Sequence, residues 1–306
     1  MPYSFTSDRT SFHVPGPLTD ASPLPDPAAA HPAATAPPLT RAVILARGLG
    51  TRMRAAESRA ELTTQQADAA QAGLKAMIPI GRPFLDFVLS ALADAGYAHV
   101  CLVIGPEHDS VRHHYAAHPP ARVHLTYAVQ DLPRGTADAL LAAEGFADGD
   151  SVLVLNGDNY YPVTALSALR TLGEAGTVLF DADALSRLGN VPPERLRAFA
   201  LADVDADGYM TRLVEKPDER TFAARGPHAL ISMNMWRVPP AIFAACRAIE
   251  PSSRGELELP HAVEHLRQQA GVRFRVLRSA EPVFDLSRQG DIAPVAAALR
   301  HIEPRP

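Results

Sequence analysis

The sequence predicts an α/β fold, a mixed αβα sandwich whose sheet is mainly parallel. From Arg41 onward, short continuous apolar runs recur, and amphipathic stretches of helical length separate them. Strands that are apolar on both faces need helices above and below the sheet, an arrangement typical of parallel sheets. After Phe180 the pattern changes to paired strands around a tight turn. This change predicts a late excursion with antiparallel strands.

The parallel part alternates between strands and helices. Strands are predicted where apolar and β-branched residues run together: Ala42–Ala46, Val100–Ile104, Val123–Tyr127, Val152–Leu155 and Thr177–Phe180. Helices are predicted where apolar residues recur at helical spacing: Phe84–Ala95, Thr136–Glu144 and Val163–Glu174.

The late excursion begins with a predicted hairpin. Its strands, Ala198–Val204 and Tyr209–Glu215, flank Asp205-Ala206-Asp207-Gly208, and aspartate and glycine both favour tight turns. The remaining predicted elements are a strand, two helices and a strand: Ile231–Val238, Pro239–Ala248, Leu257–Gln268 and Val272–Leu277. We therefore expect one domain over residues 41–303.

Residues 1–40 differ in composition from the rest of the chain. Prolines alternate there with Ala, Ser and Thr, and no hydrophobic periodicity is present. Such a segment cannot bury enough apolar surface to offset its ordering entropy, so we expect a disordered tail. It lacks the charged start and continuous apolar centre of a secretory signal.

The whole-chain properties narrow the function classes. The chain has 306 residues and is 47% hydrophobic, enough for a large core. A net charge of −5 gives no reason to expect a nucleic-acid or membrane partner. Cys101 and Cys246 lie in apolar runs, which predicts reduced core thiols and a cytoplasmic protein. Homo-oligomerisation is left open.

The run Val43–Arg54 is the strongest local signal. An apolar strand ends in a turn with Gly48 and Gly50, and Arg52 follows directly. Closely spaced glycines let backbone N–H groups approach a phosphate, and an arginine adds a charged fork for its oxygens. The alternative is an ordinary strand-to-helix turn with a solvated arginine.

Further charged residues follow predicted strands, where ligands bind in open α/β sheets. Lys75 would join Arg52 in a clamp on a triphosphate, or be a solvated lysine. Asp158, in Asn156-Gly157-Asp158, would bind a divalent cation beside phosphate, or belong to a plain turn. Asp285 follows a short apolar run and would be a second carboxylate or a helix N-cap.

Two more segments carry polar groups suited to a ligand. Glu215-Lys216 ends the predicted hairpin, and would bind a sugar hydroxyl and a phosphate or form a solvated ion pair. Gln130, followed by Gly135 and Thr136, would contact a nucleobase edge or simply begin a helix.

Taken in order, these segments resemble the sugar-phosphate nucleotidylyltransferase family, which includes glucose-1-phosphate thymidylyltransferases and uridylyltransferases. The resemblance covers essentially everything after Arg41. The matching segments begin at Ile44-Leu45-Ala46, Leu74-Lys75-Ala76, Gln130, Asn156-Gly157-Asp158, Glu215-Lys216-Pro217, Ser232-Met233-Asn234 and Asp285.

The resemblance implies a Rossmann-like nucleotide-diphospho-sugar transferase fold and a reaction of nucleoside triphosphate, Mg²⁺ and sugar 1-phosphate. The implied catalytic residues are Arg52, Lys75 and Asp158. The implied nucleotide-binding residues are Leu45, Ala46, Gly48, Gly50, Thr51, Gln130, Gly135 and Thr136. The implied sugar-phosphate-binding residues are Glu215, Lys216 and Asn234. The implied Mg²⁺ ligands are Asp158 and Asp285. Gln130 with Gly135 and Thr136 favours UTP or dTTP.

Two other functions remain open: a catalytically silent relative that senses sugar nucleotides, and a nucleotide-sugar glycosyltransferase.

The sequence also departs from the family pattern at three places. Arg47 stands where glycine or alanine is usual, Leu74 replaces a proline, and Leu286-Ser287 replaces Ile-Gly. The connection from Arg54 to Gly73 is longer than usual, which predicts a helical flap over the triphosphate, with Thr63 or Thr64 as its cap.

Overall fold

The computed structural model describes residues 37–55, 62–226 and 229–306. Every described residue belongs to one compact unit, residues 36–306. The tail predicted for residues 1–40 thus lies almost wholly outside the described residues. That tail and the domain limits 41–303 stay predictions.

The strands form one large mixed sheet and a small two-stranded one. They are β1 Arg41–Leu45, β2 His99–Ile104, β3 His124–Val129, β4 Val152–Asn156, β5 Asn159–Tyr160, β6 Gly176–Asp181, β7 Ala200–Val204, β8 Met210–Val214, β9 Leu230–Val238, β10 Arg275–Ser279 and β11 Phe284–Asp285. The main sheet runs β10-β6-β9-β4-β1-β2-β3, and β11 pairs with β5.

Helices connect the strands and cover the sheet. They are α1 Thr51–Arg54, α2 Thr64–Ala72, α3 Phe84–Asp94, α4 Asp109–Ala117, α5 Thr136–Ala142, α6 Glu144–Ala147, α7 Val163–Thr171, α8 Ala182–Arg187, α9 Pro193–Leu196, α10 Glu219–Ala223, α11 Ile242–Ala248, α12 Leu259–Gln269 and α13 Ile292–Leu299. Short 3₁₀ turns lie at Lys75–Met77 and Gln289–Asp291. No helix in the described ranges is long and apolar enough to cross a membrane.

The predicted α/β sandwich is confirmed, because apolar side chains of the central strands pack on both faces of the sheet. In β1, Ala42 and Ile44 belong to one buried cluster, while Val43 and Leu45 belong to the other. Parallel pairs join β1 to β2 and β4, β2 to β3, and β6 to β10.

Cys101 and Cys246 are buried and unpaired, and burial raises the pKa of their thiols to about 11 and about 12.

The late excursion contains antiparallel strands, as predicted, and it also enters the centre of the main sheet. The hairpin β7–β8 forms around residues 205–208, and β7 pairs with β9. The strand β9 then lies between β4 and β6, antiparallel to both. Pairing between strands so far apart in sequence leaves no local signal, so only the fold places β9 there.

Candidate active site

A cleft of about 380 Å³ opens at the carboxyl ends of the central strands. Leu45 and Ala46 at the end of β1, Ile104 at the end of β2 and Asn156 at the end of β4 line it. In a sheet with parallel strands this edge is where ligands bind. The fold therefore brings the predicted phosphate, metal and base segments to one place.

The glycine loop is locked against the loop that precedes Lys75. Gly50 has φ 63°, and a Cβ there would lie 2.5 Å from the carbonyl oxygen of Gly73. Gly73, with φ 75°, ends α2 in the left-handed region. Because the two turns pack backbone to backbone, Arg52 and Lys75 are brought into the lining of the same cleft. Arg52 is exposed there and has no ion-pair partner in the described part of the chain.

Lys75 and Asp158 form an ion pair in the lining of the cleft. The Nζ of Lys75 donates to Oδ2 of Asp158 at 2.7 Å, and both side chains are largely buried. Burial opposes the charge of Lys75, but the adjacent charge and hydrogen bond of Asp158 raise its pKa overall. The lysine is therefore held charged, with further N–H donors on the same nitrogen.

Asp285 lies in β11 and is buried behind Asp158, so it is not a helix N-cap. Its Oδ1 accepts from Nδ2 of Asn159 and from Oγ of Ser287, both at 3.0 Å, and Oδ2 pairs with Arg195. Burial and the charge of Asp158 raise the pKa of Asp285 to about 6, although Arg195 opposes them.

Asp158 and Asp285 are the two carboxylates that a divalent cation would need here. Their mutual repulsion contributes to the raised pKa of Asp285, and a cation bound by both would relieve it. The described residues hold no group of three or more His, Cys, Asp or Glu suited to a metal. Mg²⁺ is commonly bound by one or two carboxylates, with phosphates and waters completing its shell.

Gln130 presents an acceptor to the cleft. Its Nε2 donates to the carbonyl oxygen of Gly135 at 3.0 Å and to Oδ2 of Asp138 at 2.7 Å. Both amide hydrogens are therefore used, and Oε1 has no partner among the described residues. Gly135 has φ 111° and packs against the backbone of Leu257, so a side chain would not fit.

Backbone strain marks the predicted sugar-phosphate residues. Lys216 has φ 45° and Asn234 has φ 57°, which non-glycine residues adopt rarely and at a cost. Asn234 lines the cleft, and its Oδ1 accepts from the indole of Trp236 at 3.2 Å. Glu215 lies 3.9 Å from Nζ of Lys216, and burial and the charge of Glu258 raise its pKa to about 7.

Most of the predicted site residues line this one cleft. They are Leu45, Ala46, Gly48, Gly50, Thr51, Arg52, Lys75, Gln130, Gly135, Thr136, Asp158 and Asn234. Glu215, Lys216 and Asp285 are outside its wall. Asp285 contacts it through Ser287, which lines the cleft.

Sequence reasoning missed two arginines, Arg195 and Arg254, and the acidic Glu256. Arg254 and Glu256 line the cleft, and the polar run Ser252–Glu256 was the signal that would have drawn attention to them. Arg195 binds Asp285 and also lies 2.5 Å from Oδ1 of Asp291. Both partners are at least 90 residues away in sequence, so no local pattern predicts these contacts.

The helix of the long connection is confirmed. Thr63 caps α2, since its Oγ1 accepts from the backbone N–H of Gln66 at 3.3 Å. Gln66 also donates to the carbonyl oxygen of Pro79 at 2.9 Å, and Ala70 is buried. Residues 56–61 lie outside the described ranges, and movement of α2 over a triphosphate stays a prediction.

Comparison with known proteins assigns the chain to a family. The model of the Nucleotidyl transferase family matches residues 41–281. The chain belongs to this family. Among curated relatives of this nucleotidyl transferase, the UTP–glucose-1-phosphate uridylyltransferase AglF of Haloferax volcanii is 30% identical over 227 residues, 74% of this chain and 83% of AglF.

Two further relatives are longer than the region they share with this nucleotidyl transferase. The low-salt glycan biosynthesis nucleotidyltransferase Agl11 of Haloferax volcanii is 29% identical over 230 residues. The glucose-1-phosphate thymidylyltransferase of Streptomyces antibioticus is 30% identical over 236 residues. Each match covers 74% of this chain and 57% of the relative.

Solved structures share the fold of this nucleotidyl transferase. A UDP-glucose pyrophosphorylase complexed with UDP-glucose superposes with a TM-score of 0.67 at 15% identity, over 87% of this chain and 100% of that chain. A UTP-bound UGPase from Acinetobacter baumannii superposes with a TM-score of 0.63 at 18% identity, over 87% of this chain and 95% of that chain. The predicted nucleotide-diphospho-sugar transferase architecture is therefore confirmed.

Proposed function

We propose that this chain transfers a nucleotidyl group from a nucleoside triphosphate to a sugar 1-phosphate, which yields an NDP-sugar and pyrophosphate. The observation that carries the proposal is the Lys75–Asp158 pair at 2.7 Å, in the same cleft as the glycine loop and Arg52. The cationic side chains of Arg52 and Lys75 would neutralise part of the charge of a triphosphate before an anionic nucleophile approaches.

The chemistry needs positioning and no nucleophilic side chain. An oxygen of the sugar phosphate would attack the α-phosphorus in line, and the bond from that phosphorus to the bridging oxygen would break as pyrophosphate leaves. Gly48, Gly50, Thr51 and Arg52 would hold the triphosphate. The remaining N–H donors of Lys75 would steady the α-phosphate and the incoming oxygen.

The base end of the cleft favours UTP or dTTP. The Oε1 of Gln130 is an acceptor, and the imide N3–H of uracil or thymine is a matching donor. Cytosine carries an unprotonated acceptor at N3 and would face the same oxygen unfavourably. Leu45, Ala46, Gly135 and Thr136 would line the base and ribose.

The sugar phosphate would bind at Asn234, which lines the cleft, and at Glu215 and Lys216, which lie outside its wall. Lys216 would pair with the phosphate, while Glu215 and Asn234 would bind sugar hydroxyls. The left-handed backbone of Lys216 and Asn234 supports this assignment, since such strain concentrates at functional sites.

Asp158 and Asp285 would hold Mg²⁺. When bound, the ion would reduce the negative charge of the phosphates. Arg195, Asn159 and Ser287 would keep the Asp285 carboxylate in place. The buried, unpaired thiols of Cys101 and Cys246 support a cytoplasmic enzyme.

The test is a pyrophosphate-release panel that crosses UTP, dTTP, GTP and ATP with several sugar 1-phosphates in Mg²⁺. We expect release with UTP or dTTP and at least one sugar 1-phosphate. Binding of a nucleotide sugar without release from any pair would contradict this enzymatic proposal and favour a silent regulatory relative.

A further inference from the structure

Arg47 is a buried cation that lines the cleft next to Gln130. Its side chain is 7% exposed. Burying a guanidinium removes its hydration, so its contacts must offset that cost. The contacts of Arg47 therefore indicate why this chain keeps it.

The guanidinium joins two other loops to the glycine loop. Its Nε donates to the backbone carbonyl oxygen of Gln130 at 3.1 Å, and its Nη1 lies 2.6 Å from Oε1 of Glu107. Nη1 has no well-aligned hydrogen-bond acceptor among the described residues, so charge holds the second contact. Gln130 follows β3, and Glu107 lies in the turn between β2 and α4.

The turn that carries Glu107 is itself fixed. The backbone N–H of Gly105 donates to Nδ1 of His108 at 3.3 Å, and the N–H of His108 donates back to the carbonyl oxygen of Gly105 at 3.1 Å. A Cβ at Gly105 would lie 2.8 Å from Nε of Arg47. The arginine thus packs directly on the backbone of this turn.

Gln130 is restrained from both ends. Its backbone N–H donates to the carbonyl oxygen of Ile104 at 2.9 Å, and Arg47 holds its own carbonyl oxygen. Gly135 and Asp138 hold its side-chain amide. With the backbone and the amide both fixed, Oε1 has one position relative to the glycine loop.

We propose that Arg47 is a positioning residue that sets nucleobase selectivity. By linking the glycine loop, the Glu107 turn and Gln130, it fixes the acceptor that distinguishes a base with a protonated N3, uracil or thymine, from cytosine. The inference rests on the proposed function for the identity of the ligand. A site that fixes one acceptor rejects a base that offers another acceptor there.

The experiment compares Arg47→Gly and Glu107→Gln with the wild type. Arg112→Ala is the control, because Arg112 pairs with Asp109 on α4 at 2.9 Å and is not in the cleft wall. Dissociation constants for UTP and CTP are measured by calorimetry in Mg²⁺, beside kcat/KM for both nucleotides. We expect the UTP-to-CTP preference to fall about tenfold in Arg47→Gly, the factor that one lost hydrogen bond is worth.

The expected results distinguish a loss of Gln130 positioning from a general loss of substrate binding or folding. In Glu107→Gln the preference falls in the same direction but less, while KM for the sugar 1-phosphate at saturating UTP changes less than about twofold in both variants. A folded Arg47→Gly chain that keeps the wild-type preference would overturn the inference, as would a wild type that binds UTP and CTP equally. Absence of pyrophosphate release with an intact binding preference would overturn only the enzymatic proposal.

Discussion

The Nζ of Lys75 lies 2.7 Å from Oδ2 of Asp158, although the residues are 83 positions apart in the chain. The pair joins the loop that follows α2 to the turn that follows β4, and both residues line the cleft. Removing either charge leaves the other partly buried and uncompensated. The two residues therefore act as one unit in both structure and chemistry.

Replacing Asp158 with Asn is expected to lower kcat by about a thousandfold or more, because the variant loses a metal carboxylate and frees Lys75. Pyrophosphate release measures this, and circular dichroism checks the fold. Asp183→Asn is the control, since Asp183 pairs with Arg187 on the exposed surface of α8. Turnover near the wild-type rate in Asp158→Asn would exclude the role proposed for this residue.

Gly50→Ala is expected to destabilise the chain and lower activity together. The left-handed φ of 63° alone costs a non-glycine residue about 1–3 kcal/mol, and the new Cβ would also press on the backbone of Gly73. Urea unfolding and pyrophosphate release measure the two effects. In the matched control, Gly145→Ala, the added Cβ meets no atom within 4 Å, and stability should be retained. Equal stability of the two variants would show that the two loops are not locked.

Arg195→Met is expected to lower the free energy of unfolding by about 3–5 kcal/mol, because Asp285 and Asp291 would lose their shared cation while buried. Arg187→Met, at an exposed ion pair, should change the free energy of unfolding much less. Chemical denaturation at pH 7 measures both. A loss as small as the control's would mean that the network contributes little to stability.

Titration of Glu215 makes the stability of the fold depend on pH. Its pKa is about 7 in the folded chain, above the ordinary 4.5, so the folded state binds more protons between these values. The stability that this proton binding gives is fully present below the pKa of Glu215 in the unfolded chain. It is lost, by at most about 3 kcal/mol, as pH rises through the pKa in the folded chain. We therefore expect the stability of the wild type relative to Glu215→Gln to fall between pH 4 and pH 8. Denaturation of both proteins across this range measures it, and a constant difference would contradict the prediction.

Much of the site was predictable because its motifs are local. The glycine loop, Gln130 and Asp158 each follow a strand, and parallel strands carry such positions to one edge, whereas Lys75 follows α2. The strand β9 was predicted as an element, but its place between β4 and β6 was not. Pairing over long sequence separations has no local signature.

The sequence by itself determined the α/β class, most of the strands, the main helices, and most of the residues that converge on the cleft, because apolar periodicity and turn chemistry are local properties. Tertiary structure alone decided which charges meet. It buried Asp285 against Arg195, joined Lys75 to Asp158, and turned Arg47 toward Glu107 and Gln130. Ion pairs between distant residues depend on where the folded backbone carries them, and no spacing in the chain encodes that distance.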